Sequence, residues 1–76
     1  ALYHNKEYVE ASHLFRLLVF SRPSESKYWK AFGACLQMLK EYTQAIECYQ
    51  TAQHLNGSFP DPYLDVYIAD CYFTMH

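Results

Sequence analysis

Glycine is scarce in this chain: Gly33 and Gly57 are the only two in 76 residues. A phosphate-cradling loop needs several glycines close together, so nucleotide binding of that kind is excluded. Charge is also sparse. Six Lys and Arg stand against eight Asp and Glu, for a net charge of −2 with His neutral. No basic run is present, which argues against binding along a nucleic-acid backbone, where clustered Lys and Arg are required. Hydrophobic residues make up 51%, yet no unbroken apolar run of about 20 residues exists to cross a membrane. No signal-peptide pattern is visible. The three cysteines, Cys35, Cys48 and Cys71, form an odd set without CxxC or other zinc spacing. They read as small buried hydrophobes of a reducing compartment. The histidines His4, His13, His54 and His76 make no i, i+4 pair and no ligand spacing with a cysteine. Ser12 and His13 are sequence neighbours whose side chains diverge on a helix. Neither an enzyme, nor a metal site, nor a cofactor is expected.

What is present is helical periodicity. Trp29, Phe32, Cys35, Leu36 and Leu39 recur at the spacing of one helix face, and Tyr42, Ala45, Ile46, Tyr49 and Ala52 at that of a second. Gly33 and Ala45 stand where the two helices would cross, small enough for the axes to approach. Before this pair, Ala1 to Asn5 reads as the tail of a helix, Asn5-Lys6-Glu7 as a turn, and Tyr8 to Phe20 as a helix. The apolar face of that helix carries Tyr8, Ala11, Leu14, Phe15, Leu18 and Val19, with Glu10, Ser12, His13 and Arg16 opposite. Pro23 stops it. Ser24 or Ser26 is a candidate cap for the next helix, which runs to about Lys40. Asn56-Gly57-Ser58 ends the following one. A last helix, Tyr63 to Met75, opens with Asp61 as N-cap and Pro62 at the first helical position.

The pattern repeats. At a spacing of 34 residues, Leu36 falls on Leu2, Lys40 on Lys6, Glu41 on Glu7, Tyr42 on Tyr8, Ala45 on Ala11 and Tyr49 on Phe15. This is the tetratricopeptide (TPR) period, and Trp-x2-Phe-Gly-x2-Leu followed by Ala-x3-Tyr-x2-Ala resembles the TPR pattern. The resemblance implies an all-α fold of helical hairpins stacked in a right-handed solenoid. Residues 1–25 would end a first repeat, 26–59 form a complete second, and 60–76 supply helix A of a third. Ala69 takes the crossing place of Gly33, with Ile68 and Tyr72 in the roles of Phe32 and Leu36. The pattern opens where a helix would already be ending and stops inside an apolar helical run. The sequence therefore reads as the middle of a longer repeat protein, truncated at both ends, which missing repeats or self-association would cover.

In TPR proteins the A helices line a concave groove suited to an extended peptide. The groove-facing positions are Tyr3 and His4 from the first helix, then Lys27, Lys30, Ala31, Ala34, Gln37 and Met38. The last helix adds Tyr63, Val66, Tyr67, Asp70, Phe73 and Thr74. So apolar a surface facing water marks a binding site, although Tyr63 or Phe73 would also serve as packing residues under a further repeat. A carboxylate clamp for acidic heat-shock-protein tails is not expected. Lys30 fits it, but Ala34 stands where Asn is needed, and Tyr63 and Tyr67 where Lys and Arg are needed.

Phe32-Gly33-Ala34-Cys35-x-Gln37, Tyr42-x2-Ala45-Ile46-x2-Tyr49-x2-Ala52, Phe59-Pro60 and Ile68-Ala69-Asp70-Cys71 together resemble the class II chaperones of type III secretion. Asn5-Lys6 and Trp29 depart from that family's usual residues. The resemblance implies a bacterial cytoplasmic chaperone, in some cases a homodimer, that keeps hydrophobic translocator proteins soluble before secretion. It would hold an extended translocator segment of the Pro-x-Leu-x-x-Pro kind in the groove. The residues expected to carry this are Tyr3, Lys30, Ala34, Met38, Tyr63, Tyr67 and Phe73. The alternative is a generic TPR interaction scaffold in another multiprotein assembly.

Overall fold

The computed structural model describes the backbone of residues 2–57 and 61–75, and the side chains from Lys6 onward within those ranges. Among them are four α-helices and no strand: α1 (Leu2–Ser21), α2 (Ser26–Met38), α3 (Tyr42–Asn56) and α4 (Pro62–Met75). Each packs on the next in sequence. Ser26, at the start of α2, donates to Asn56 at the end of α3 over 2.8 Å, so α2 and α3 form an antiparallel hairpin. Gln53 of α3 donates to Asp65 near the start of α4, so α3 and α4 are antiparallel too. It follows that α2 and α4 run parallel.

The helix ends follow from local chemistry. Helix α2 closes with two reversed bonds, Glu41 N–H to the Leu36 carbonyl (2.8 Å) and Lys40 N–H to that of Gln37 (3.0 Å). This C-terminal cap needs a left-handed residue one place past the C-cap, and Lys40 supplies it at φ 65°. Helix α3 ends at Gly57, whose φ of 56° and ψ of −112° suit a residue without Cβ. The Asp61 carboxylate accepts from the Tyr63 N–H at 2.9 Å. It caps α4 with Pro62 in the first turn, as the sequence leads one to expect.

Three expectations are corrected. The turn at Asn5-Lys6-Glu7 is absent: α1 runs unbroken through it. Lys and Glu are good helix formers, and no Gly or Pro forces a break there. Neither Ser24 nor Ser26 caps α2. Glu25 occupies the N-cap position without a side-chain bond, and the Ser26 hydroxyl is committed to Asn56. On α1, Ser12 is buried and Leu14 exposed. The Ser12 hydroxyl satisfies itself on the Val9 carbonyl at 2.7 Å, which makes its burial affordable.

The main core cluster is Leu36, Ala45, Ile46, Cys48, Tyr49, Ala52, Leu64 and Cys71, flanked by half-buried Trp29, Phe32, Tyr42, Tyr67 and Ile68, with Val19 of α1 and Cys35 of α2 buried outside it. Ala45 and Ala52 of α3 are fully buried, small enough to let both flanking helices close on it. All three cysteines are free and buried, as read from the sequence. Ala69 and Tyr72 lie exposed on the outer side of α4, with no helix over them among the described residues.

Candidate functional site

The groove between α2 and α4 is a cavity of about 560 Å³ lined by Lys27, Lys30, Ala31, Ala34, Gln37, Met38, Tyr49, Tyr67 and Asp70. Its α2 wall follows from helical spacing: residues 27, 30, 31, 34, 37 and 38 fall on one stripe. At 1.5 Å rise per residue the stripe is about 16 Å long, the length of about five residues of extended chain. Ala31 and Ala34 make a low floor, while Tyr49 and Tyr67 stand as an aromatic wall, ring centroids 5.5 Å apart and tilted by 34°.

Polar bridges hold the two walls. At one end Lys30 Nζ meets an Asp61 carboxylate oxygen at 2.8 Å. The same ammonium lies 5.6 Å from the Tyr63 ring centre and 5.8 Å from that of Tyr67, within cation–π range. At the other end Tyr49 donates its hydroxyl hydrogen to Gln37 Oε1 at 2.8 Å, and Gln37 Nε2 donates to Asp70 at 2.6 Å. One amide thus joins α2, α3 and α4.

The ionisation states are fixed by these surroundings. Burial pushes the Tyr49 phenol well above its ordinary range, and neighbouring Cys71 and Tyr67 add to it, so its hydroxyl stays a donor. The hydrogen bond from Lys30 holds the Asp61 carboxyl below the usual carboxylate range, helped by the Tyr63 N–H and the Lys30 charge. Burial pushes the Cys48 thiol up to about 12, with Glu47 contributing. It raises Cys35 and Cys71 as well. Thiols protonated in this way are poor nucleophiles. Among the described residues no group of three His, Cys, Asp or Glu is placed to hold a metal ion, and no helix is long and apolar enough to cross a membrane.

The sequence-derived residues divide three ways. Lys30, Ala34, Met38 and Tyr67 line the groove together, as do Lys27, Ala31, Gln37 and Asp70 from the wider set. Tyr63 stands beside Lys30 outside the lining, 64% exposed, and Phe73 points to solvent at 85%. Tyr3 lies outside the described side chains, and Phe59-Pro60 outside the described residues. Tyr49 joins the site unexpectedly, from α3. Its periodicity marks it as core, and its ring is indeed buried. It reaches the groove because residue 33 has no side chain: a Cβ there would lie 2.7 Å from Tyr49 Cε1. The signal was Gly33 itself, a glycine inside a helix opposite an aromatic.

Residues 26–55 match the tetratricopeptide repeat family, a span that covers α2 and α3 up to the residue before the α3 terminus. No curated protein and no solved structure shows significant similarity to the chain. The architecture is that of an all-α helical repeat, and TPR repeats of this kind are protein–protein interaction modules, generally without catalytic activity.

Proposed function

We propose that the α2–α4 groove holds an extended segment of a partner protein, and that the chain serves as a class II chaperone for the hydrophobic translocators of type III secretion. The observation that carries the groove reading is an apolar trough with a low alanine floor and a tyrosine wall. A Pro-rich segment is already extended and loses little entropy on docking. Tyrosine faces suit Pro and Leu side chains. A trough of about 16 Å matches the five residue steps from the first to the last Pro of Pro-x-Leu-x-x-Pro, at about 3.1 Å each. In this reading α1 ends a first repeat, α2 and α3 form the second, and α4 is helix A of the third. The chaperone would act in the bacterial cytoplasm, keeping its client soluble.

The family assignment rests on the Gly33-Ala34-Cys35-x-Gln37 and Ala69-Asp70-Cys71 runs. Gln37 and Asp70 give those runs a physical purpose, since they bond to each other across the groove. The test is a fluorescence-anisotropy titration with a labelled Pro-Ser-Leu-Ser-Ser-Pro peptide. Ala34 is exposed, so Ala34→Trp leaves the core intact and fills the floor. It should weaken binding tenfold or more, by roughly 1.4 kcal/mol or above. Unchanged binding by the folded variant overturns the groove assignment.

A second reading, a TPR scaffold in another assembly, draws on the outer side of α1, where Leu14, Leu17 and Phe20 are 58%, 64% and 70% exposed. It expects Leu17→Glu, and not Ala34→Trp, to abolish partner binding.

A further inference from the structure

The groove carries opposite charges at its two ends. At the α2 N-terminal end stand Lys27 and Lys30. Lys30 is paired with Asp61, which leaves Lys27 as the unshared positive charge there; its ammonium rests 5.3 Å from the centre of the neighbouring Tyr28 ring, a contact that leaves its charge uncancelled. At the far end stands Asp70, whose carboxylate receives a bond from the neutral Gln37 amide. Among the described residues the only ion pair is Lys30–Asp61, so none of their cations pairs with Asp70. Along α2, Lys27 and the Gln37 that marks the place of Asp70 are about 15 Å apart. Between them the lining is Ala31, Ala34, Tyr49 and Tyr67, with no charge other than the paired Lys30.

We infer that this groove selects a segment with a fixed order of charge: an apolar middle that spans the groove, an acidic residue at the Lys27 end and a basic residue at the Asp70 end. The inference rests on the groove reading above and adds to it the chemistry of the segment's flanks. The apolar middle supplies area, and the flanks supply register. An extended chain slid by two residues presents the same alternate side chains to the floor, so apolar contact alone fixes position poorly. Charges at both ends penalise the slipped alignments, because each then loses its partner or meets a like charge.

The test uses three labelled peptides with the same Pro-Ser-Leu-Ser-Ser-Pro core: one with neutral flanks, one with a Glu-Glu flank, and one with a Lys-Lys flank. Each is titrated against the full chain and against Lys27→Glu and Asp70→Asn at low salt. The quantity read is the affinity of each charged peptide divided by that of the neutral peptide on the same protein, which cancels any general damage to the groove. The acidic-to-neutral ratio should fall about threefold to tenfold with Lys27→Glu, and the basic-to-neutral ratio about twofold to fivefold with Asp70→Asn. Both effects should fade near 0.5 M salt while the neutral peptide still binds. If the neutral peptide binds and the ratios do not move, or both ratios move alike with either variant, the charge order is wrong and the groove reading stands. If none of the three binds the full chain, the groove reading fails and the inference falls with it.

Discussion

Two single residues decide how closely these helices meet. Gly33 is buried in α2, and a methyl group there would lie 2.7 and 2.9 Å from two carbons of the Tyr49 ring. That ring is 1% exposed and tethered through its hydroxyl to Gln37, so it has little freedom to withdraw. Gly33→Ala gains helix propensity of about 1 kcal/mol but overpacks the core, which typically costs about 1–3 kcal/mol. The net result should be a lower urea midpoint together with weaker peptide binding, because Tyr49 is also a wall of the groove. A higher midpoint would mean that α2 and α3 can separate freely. Lys40 is the opposite case. It holds φ 65°, a conformation that costs an ordinary residue about 1–2 kcal/mol. Lys40→Gly should therefore raise stability by about 0.5–1 kcal/mol after its own chain-entropy cost, measured as an upward shift of the same midpoint. Gly33 was legible from sequence because a glycine inside a strong helical pattern calls for a packing reason. Lys40 was not. The same Lys-Glu pair occurs at Lys6-Glu7, where it is helical. At Lys40-Glu41 the reward for turning comes from Leu36, Ala45, Ile46 and Tyr49 closing into the core, which is tertiary and leaves no local mark.

At the scale of the helices, α4 shows how a start signal is also an anchor. Asp61 accepts from the Tyr63 N–H and pairs with Lys30 of α2, so one carboxylate both opens α4 and fastens it across the groove. Its folded-state pKa is lowered, chiefly by the Lys30 hydrogen bond. A carboxyl shifted in that direction contributes stability that is present above its unfolded pKa, about 3.9, and is lost as pH falls through its lower folded value. Acid titration of helicity should show this loss at the acid end of the carboxylate range. Asp61→Asn should remove that step while weakening the protein at neutral pH, and an unchanged acid profile would show that the pair adds nothing. The cap was readable because Asp-Pro-x-x before an apolar run is a local pattern. The partner was not, since nothing in sequence joins position 61 to position 30. The α1 boundaries were read less well for a related reason. The turn expected at Asn5-Lys6-Glu7 rested on Asn5, which readily takes the left-handed conformation that ends helices, and a local preference of that kind gives way where no packing enforces the turn.

For the molecule as a whole, the groove exists only while both hairpins share one core. Helix α4 is held on α3 by fully buried Leu64 and Cys71 and by the Tyr49–Tyr67 contact. Across the groove its ties to α2 are polar: Lys30 to Asp61 and Gln37 to Asp70. Solvent-screened bridges of this sort contribute little, whereas truncating a buried leucine to alanine costs about 2–5 kcal/mol. The position of α4, and with it the width of the site, is therefore set from below by apolar packing and only trimmed by the bridges. Leu64→Ala should release α4 preferentially and leave the α2–α3 hairpin, with its own Leu36, Ala45, Ile46 and Ala52, in place. The buried thiols report this directly, since a protonated and inaccessible thiol reacts only when its helix opens. Cys71 sits on α4 and Cys48 on α3, both buried. In Leu64→Ala, alkylation of Cys71 at neutral pH should accelerate by about 30-fold or more, the factor that corresponds to 2 kcal/mol, with Cys48 lagging well behind. Peptide affinity should fall in parallel with Cys71 protection. If instead Cys48 and Cys71 accelerate together, the hairpin and α4 unfold as one cooperative unit, and the groove could not widen without the whole structure coming apart.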